Sequence, residues 1–213
     1  MMIRFVDVSA GYGTEQEPVF THFSETIEDG EFVLVTGESG VGKSTFVRLL
    51  LCELLPLAGQ VCVDGQDLSL LKRGQIPAYR RKLGVVFQDH RLIPDRSAYE
   101  NVKLARLVAG GRSRDTDQMI CSLFSLFGIT ELYKRYPNEM SGGQQQKVCL
   151  ARAVMNYPRY LLADEPTGNL DPESSREIMK FFELVHRQGT TVIVVTHDLE
   201  AADGLACRRI ELS

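Results

Sequence analysis

The sequence predicts an α/β fold, with a mostly parallel sheet, an antiparallel β part and an inserted helical lobe. Three observations carry that expectation. Short apolar runs alternate with helical spacing at both ends of the chain, the pattern of strands joined by crossover helices. The run Thr190–Val195 is continuously β-branched, as a strand covered on both faces requires. Between about Asp89 and Tyr157 the apolar period becomes that of helices.

Taken in order, Ile3, Phe5 and Val8 alternate loosely and mark a first strand. Phe32–Thr36 is a second, stopped by Gly37. From Lys43 to Leu55 the apolar positions Phe46, Val47, Leu49, Leu50 and Leu54 follow helical spacing, and Pro56 ends the run. Gln60–Val63 alternates before an Asp64-Gly65 turn. In the lobe, Gly110-Gly111 and Pro137 break the helices, and Met119, Ile120, Leu123, Phe124 and Phe127 form one stripe. Tyr160–Ala163 reads as a buried strand ending in Asp164-Glu165. A helix follows from Pro172 to about Arg187, with Asp171 as N-cap and Gly189 as the stop. One domain over 1–213 is expected, with a core from 1–88 and 158–213 and a lobe from 89–157.

Composition excludes several classes. Apolar residues make up 44% and charged residues 24%, as in ordinary soluble domains. A net charge of −4 argues against nucleic-acid binding through phosphate contacts. The five cysteines contain no C-x-x-C pair, which predicts a reducing cytoplasm and no zinc site; Cys149, in an apolar helical pattern, reads as core. No stretch approaches the roughly 20 apolar residues needed to span a bilayer, and the amino terminus lacks a signal core. Any action at a membrane therefore requires a partner that supplies the spanning helices. Between Lys72 and Arg96 basic residues outnumber acidic ones; this reads as a solvated face, with contact to anionic lipid as the alternative.

Gly37-Glu38-Ser39-Gly40-Val41-Gly42-Lys43-Ser44-Thr45 follows a strand and opens a helix. It is G-x-x-x-x-G-K-[ST] in the context that chemistry needs. The glycines let backbone N–H groups turn toward phosphate, and the helix N-terminus adds partial positive charge. Lys43 is expected to reach the β- and γ-phosphates of a nucleoside triphosphate and Ser44 to ligate Mg²⁺. Asp164, at a strand end, is the expected carboxylate partner of the metal. Glu165 next to it is the candidate to orient or deprotonate the attacking water. His197 follows a strand, and its imidazole can bond a γ-phosphate oxygen. Gln88 ends the run Gly84–Phe87, and its amide oxygen can touch the metal or the water.

Ser141-Gly142-Gly143-Gln144 begins a helix running to about Asn156. Ser141 with Gln144 is a capping-box pattern. Two glycines in its first turn cost about 1 kcal/mol each relative to alanine, which suggests close approach of a ligand to the backbone. These motifs together resemble the ABC-type ATPases from Ile3 to Leu212. The resemblance implies a P-loop NTPase fold with a RecA-like core, ATP and Mg²⁺ as cofactors, and a head-to-tail dimer sandwiching two nucleotides. By that resemblance Ser141, Gly143 and Gln144 grip ATP held by a second copy. Gly37–Thr45 is Walker A, Asp164-Glu165 completes Walker B, and Asn169-Leu170-Asp171 is the loop that communicates across the dimer. His197 corresponds to the switch histidine and Tyr12 to the aromatic that stacks on adenine.

The segment Val85–Arg96, with Tyr99-Glu100-Asn101-Val102, resembles the bacterial cell-division branch of that family. This implies a subunit peripheral to the inner face of the cell membrane, paired with an integral membrane protein that docks near residues 89–102. Met140, Gln144 and Lys147 stand where Leu, Glu and Arg are usual. A lipoprotein-release or macrolide exporter ATPase, and a nucleotide-dependent scaffold with little turnover, are the alternatives.

Overall fold

The computed structural model describes residues 2–12, 17–38, 40–111 and 115–212. Among the described residues nine strands form two sheets. The first is antiparallel, in the order β2-β1-β4-β5, from β1 (Met2–Ala10), β2 (Phe20–Glu28), β4 (Ala58–Val63) and β5 (Gln66–Asp67). The second is fully parallel, in the order β6-β7-β8-β3-β9. Its strands are β3 (Phe32–Thr36), β6 (Leu83–Val86), β7 (Tyr160–Asp164), β8 (Thr191–Val195) and β9 (Arg208–Glu211). The expected parallel core with an antiparallel part is therefore what the chain builds.

The period-2 alternation of the parallel strands divides the core. Leu34, Leu161, Ala163, Val192 and Val194 pack on one face with α5 (Gly142–Val154) and α6 (Pro172–Arg187). Val33, Val35, Leu162, Ile193 and Val195 pack on the other with α1 (Lys43–Leu50) and the antiparallel sheet. Burial on both faces explains why these strands read as continuous apolar runs. In the lobe, α3 (Ala98–Val108) and α4 (Thr116–Leu126) pack with α5, and the stripe residues Ile120, Phe124 and Phe127 are buried there.

Three local expectations need correction, and two strands were not anticipated. Helix α1 stops at Leu50, not Leu55, because Cys52 takes a left-handed conformation (φ 52°). Its terminal carbonyls are taken by α2 (Ile76–Arg80): the Tyr79 hydroxyl donates to Leu50 O at 2.7 Å, and Arg80 Nε to Leu51 O at 2.7 Å. The lobe is not helical from Asp89, since residues 87–97 form a loop. Asn101 holds that loop from α3, accepting from Ile93 N–H and donating to the carbonyls of Ile93, Arg96 and Ser97. Strand β8 begins at Thr191, because Thr190 Oγ1 donates to Pro158 O. Strands β2 and β9 lacked a sequence signal; β9 is a charged edge strand of four residues.

Candidate nucleotide site

The parallel strands bring the predicted chemistry to their carboxyl ends. Val35 pairs with Val195, and Val195 with Asp164, so the loops after β3, β8 and β7 leave the sheet at one level. Ligands of open α/β sheets bind at that edge. A cavity of about 620 Å³ opens there, lined by Gly37, Glu38, Gly40, Gly42, Lys43, Ser44 and Thr45 together with Tyr12, Gln88, Glu165 and His197. Val19 and these residues complete its wall. Ser39 lies outside the described residues.

The loop glycines are fixed by more than room for phosphate. Gly37 (φ 149°) and Gly42 (φ 110°) adopt conformations that L side chains rarely take, and a Cβ on either would meet protein atoms at 2.7 Å. At Gly37 these atoms are Leu212 O and Val41 Cγ1; at Gly42, Val19 Cγ1. Val41 thus serves the loop through packing and is absent from the cavity wall. Gly40 (φ 88°) has open space around it and is required by its backbone alone.

Helices α3, α5 and α6 each carry a side-chain cap, from Ser97, Ser141 and Asp171. Helix α1 begins at Gly42 with no side-chain cap, and its first turn holds no acidic residue. Its leading amides have no intrahelical acceptor and face an open cavity, the arrangement that binds anions. Lys43 Nζ donates to Gly37 O at 2.9 Å and Glu38 O at 3.1 Å, and lies 3.7 Å from Glu165. Its cation is therefore folded back onto the loop.

Asp164 and Glu165 diverge as a strand end allows. Glu165 takes a left-handed conformation (φ 47°) while its N–H still donates to Val195 O. The turn aims its carboxylate at the main cavity, where Oε2 accepts from His197 Nδ1 at 2.8 Å and from the His197 N–H at 3.3 Å. Asp164 faces an adjoining cavity of about 320 Å³ with Phe87, Gln88, Asp89, Arg91 and Asn169. Gln88 lines both cavities and stands between the two carboxylates' fields.

Asp164 Oδ1 is buried without a hydrogen-bond partner, and burial, reinforced by the neighbouring Glu165, pushes its carboxyl pKa up. A buried carboxylate lacking a donor is a fitting partner for a cation. Among the described residues no three His, Cys, Asp or Glu side chains cluster for a metal. The donor set is instead one carboxylate, the Ser44 hydroxyl and the Gln88 amide, which suits a Mg²⁺ completed by water and phosphate oxygens.

The raised pKa has a measurable consequence. Asp164 binds a proton more tightly folded than unfolded, so ionising it costs stability as pH rises from about 4 through its folded pKa. The cost grows as pH rises above about 4 and is complete once pH exceeds the folded pKa. Asp164→Asn should therefore raise the Tm of the free protein at pH 7, and the gap should close as pH falls toward 4. Thermal denaturation across pH checks this, and a variant less stable than wild type at pH 7 would show that the carboxylate is satisfied after all.

Of the remaining predicted residues, Tyr12 lines the cavity, whereas Ser141, Gly143, Gln144 and Asp171 do not. Tyr12 is at its edge, but its hydroxyl accepts from Thr45 Oγ1 at 3.1 Å and the Arg48 guanidinium sits 5.3 Å from its ring centroid. Ser141 and Gln144 form the capping box the pattern predicted: Ser141 Oγ accepts from Gln144 N–H, and Gln144 Oε1 from Ser141 N–H. Built on Gly143, a Cβ would approach Ser174 and Leu170, not the phosphate loop. Asp171 Oδ1 accepts from the N–H groups of Glu173 and Ser174, and its Oδ2 from the Ser174 hydroxyl, which engages it fully as the cap of α6. Arg48 was missed; its position four residues after Ser44 on α1 was the available signal.

A phosphate loop between a parallel strand and an uncapped helix, with two diverging carboxylates at the end of β7, defines a P-loop nucleoside triphosphatase. A model of the ABC transporter family matches residues 20–168, and the chain belongs to that family. It is 42% identical over its whole length to the cell division ATP-binding protein FtsE of Mycobacterium tuberculosis, covering 93% of that protein. With FtsE of Escherichia coli it shares 40% identity, covering 100% of this chain and 95% of the relative. A dimeric bacterial ABC transporter cassette superposes with a TM-score of 0.89 at 35% identity, covering 99% of this chain and 94% of that one. A post-hydrolysis dimer of the same cassette, bound to ADP and Pi, gives 0.89 at 34%, covering 100% and 94%.

Proposed function

We propose that this chain is the ATP-binding and hydrolysing subunit of a bacterial cell-division complex of the FtsE type. It works as two copies, peripheral to the inner face of the cell membrane, with an FtsX-like integral membrane partner that controls peptidoglycan hydrolases. Among the described residues no helix is long and apolar enough to cross a membrane. The full-length similarity to cell-division proteins favours this reading over an exporter subunit. The observation that carries the dimer is the separation of Ser141–Gln144 from the chain's own phosphate loop. The capping box uses only a lone pair of Ser141 Oγ, so its O–H proton and the first amides of α5 stay available to an anion brought by a second copy.

In the mechanism, Tyr12 releases Arg48 and offers its ring to adenine. Lys43 exchanges the carbonyls of Gly37 and Glu38 for phosphate oxygens. Ser44, Gln88 and Asp164 would hold Mg²⁺, which when bound neutralises charge on the phosphate oxygens. Glu165 orients the attacking water and accepts its proton, while His197 holds the carboxylate through Nδ1 and contacts the γ-phosphate. Ser141, Gly143 and Gln144 complete the second copy's site, and Asp171 fixes the start of α6 beside it. Residues 89–157 act as the lobe that passes closure to the membrane partner, against 1–88 and 158–213 as the core.

Light scattering tests the sandwich. The protein should be monomeric without nucleotide and dimeric with ATP, and Ser141→Arg should abolish the dimer while each monomer still binds ATP. A nucleotide-independent dimer, or one indifferent to Ser141→Arg, would rule out the arrangement.

A further inference from the structure

The loop that carries Gln88 holds two consecutive left-handed residues, His90 (φ 58°) and Arg91 (φ 47°). L residues disfavour that conformation, and a pair of them persists only when the surroundings impose it. The surroundings here are two side chains of α5, of which Arg152 alone touches both residues. Arg152 Nη1 donates to Arg91 O at 2.6 Å, and Nη2 to His90 O at 2.7 Å. The buried Cys149 thiol, one turn earlier, donates to the same His90 carbonyl at 3.0 Å. Downstream of Gln88, Arg91 lies 3.6 Å over the Phe87 ring and bonds Asp89, so the turn closes back on Gln88's neighbours.

We infer that Arg152 is a positioning residue for hydrolysis: its guanidinium fork clamps the carbonyls of His90 and Arg91 and so sets where Gln88 stands between the two carboxylates. The guanidinium fork gives each carbonyl its own nitrogen, Nη1 for Arg91 and Nη2 for His90, held in one rigid plane, whereas a lysine would offer a single nitrogen on a shorter reach and a flexible stem. Arg152 also stands about three turns along the helix that Ser141 opens, and it lines an apolar groove of about 460 Å³ between β6 and α3. Arg152 therefore joins that groove and α5 to the loop that carries Gln88, with the Cys149 thiol beside it. The inference rests on the role given to Gln88 above.

The test is a cycle on the full-length protein with Arg152→Lys, Gln88→Ala and the double variant, reading kcat and KM for ATP separately, alongside Tm. Arg152→Lys should lower kcat by up to about 100-fold, the scale of a catalytic group misplaced by about 1 Å, with KM within about twofold. Adding it to Gln88→Ala should change kcat no further, because its effect is spent through Gln88. If Gln88→Ala lowers kcat but Arg152→Lys leaves it unchanged, or the two losses multiply, the clamp is wrong while the Gln88 role stands. If Gln88→Ala leaves kcat unchanged, the role of Gln88 falls and this inference with it. A fall in Tm with unchanged kcat assigns Arg152 to stability alone and also overturns it.

Discussion

Glu165→Gln is expected to slow ATP hydrolysis by at least about 100-fold, the usual scale for losing a general base, while ATP affinity stays within a few-fold of wild type. The asymmetry follows from where the carboxylate sits. Glu165 is aimed into the main cavity by its left-handed backbone and is held there by His197 Nδ1 and the His197 N–H. The glutamine oxygen can keep both of those acceptor contacts, so the pocket's shape survives. What it cannot do is take a proton from water. The variant also loses the charge that faces Lys43 at 3.7 Å, which frees the lysine for phosphate and does not weaken binding. ATP should therefore accumulate unhydrolysed and the closed dimer with it. Single-turnover assays with labelled ATP measure the step, and light scattering the dimer. Turnover near the wild-type rate would remove Glu165 from the chemistry and transfer the proton to another group.

Much of this site was legible because its parts are local. The phosphate loop, its helix, and Asp164-Glu165 are contiguous residues whose context a single chain displays. The Ser141–Gln144 capping box formed as its spacing required, since both partners lie within one turn. What escaped was contact between distant segments. Nothing near Arg152 in sequence signals that it will hold carbonyls at 90 and 91, sixty residues away in round terms. The early end of α1 has the same cause: its apolar spacing continues to Leu54, but Tyr79 and Arg80 of another helix satisfy its last carbonyls and stop it. The glycines were legible as turn-formers, and their positive φ values agree; what the sequence hid is that Leu212, Val41 and Val19 also leave no room for a side chain at Gly37 and Gly42. Strand β2 escaped because its nine residues alternate Thr, His, Ser and Glu with few apolar positions, and it is recognised only when paired with β1.

Lys43→Ala is expected to weaken ATP binding by about 100-fold, because a charge-assisted bond to phosphate contributes about 1.5–3 kcal/mol. Two effects act in the same direction. The nucleotide loses the one ammonium that lines the cavity wall among the described residues. The loop also loses its brace, since Lys43 Nζ joins the carbonyls of Gly37 and Glu38 across the turn. Lys43→Arg separates them: a guanidinium keeps the charge and can reach loop carbonyls, but its larger planar head does not fit where an ammonium bridges two of them. If charge dominates, the arginine variant should recover most of the affinity; if the brace dominates, it should bind as poorly as alanine. Titration with a fluorescent ATP analogue, at low and high salt, distinguishes the two, because only a lost charge flattens the salt dependence. Unaltered affinity in the alanine variant would mean that the amides at the head of α1 hold the phosphates without help, and that Lys43 serves the loop alone.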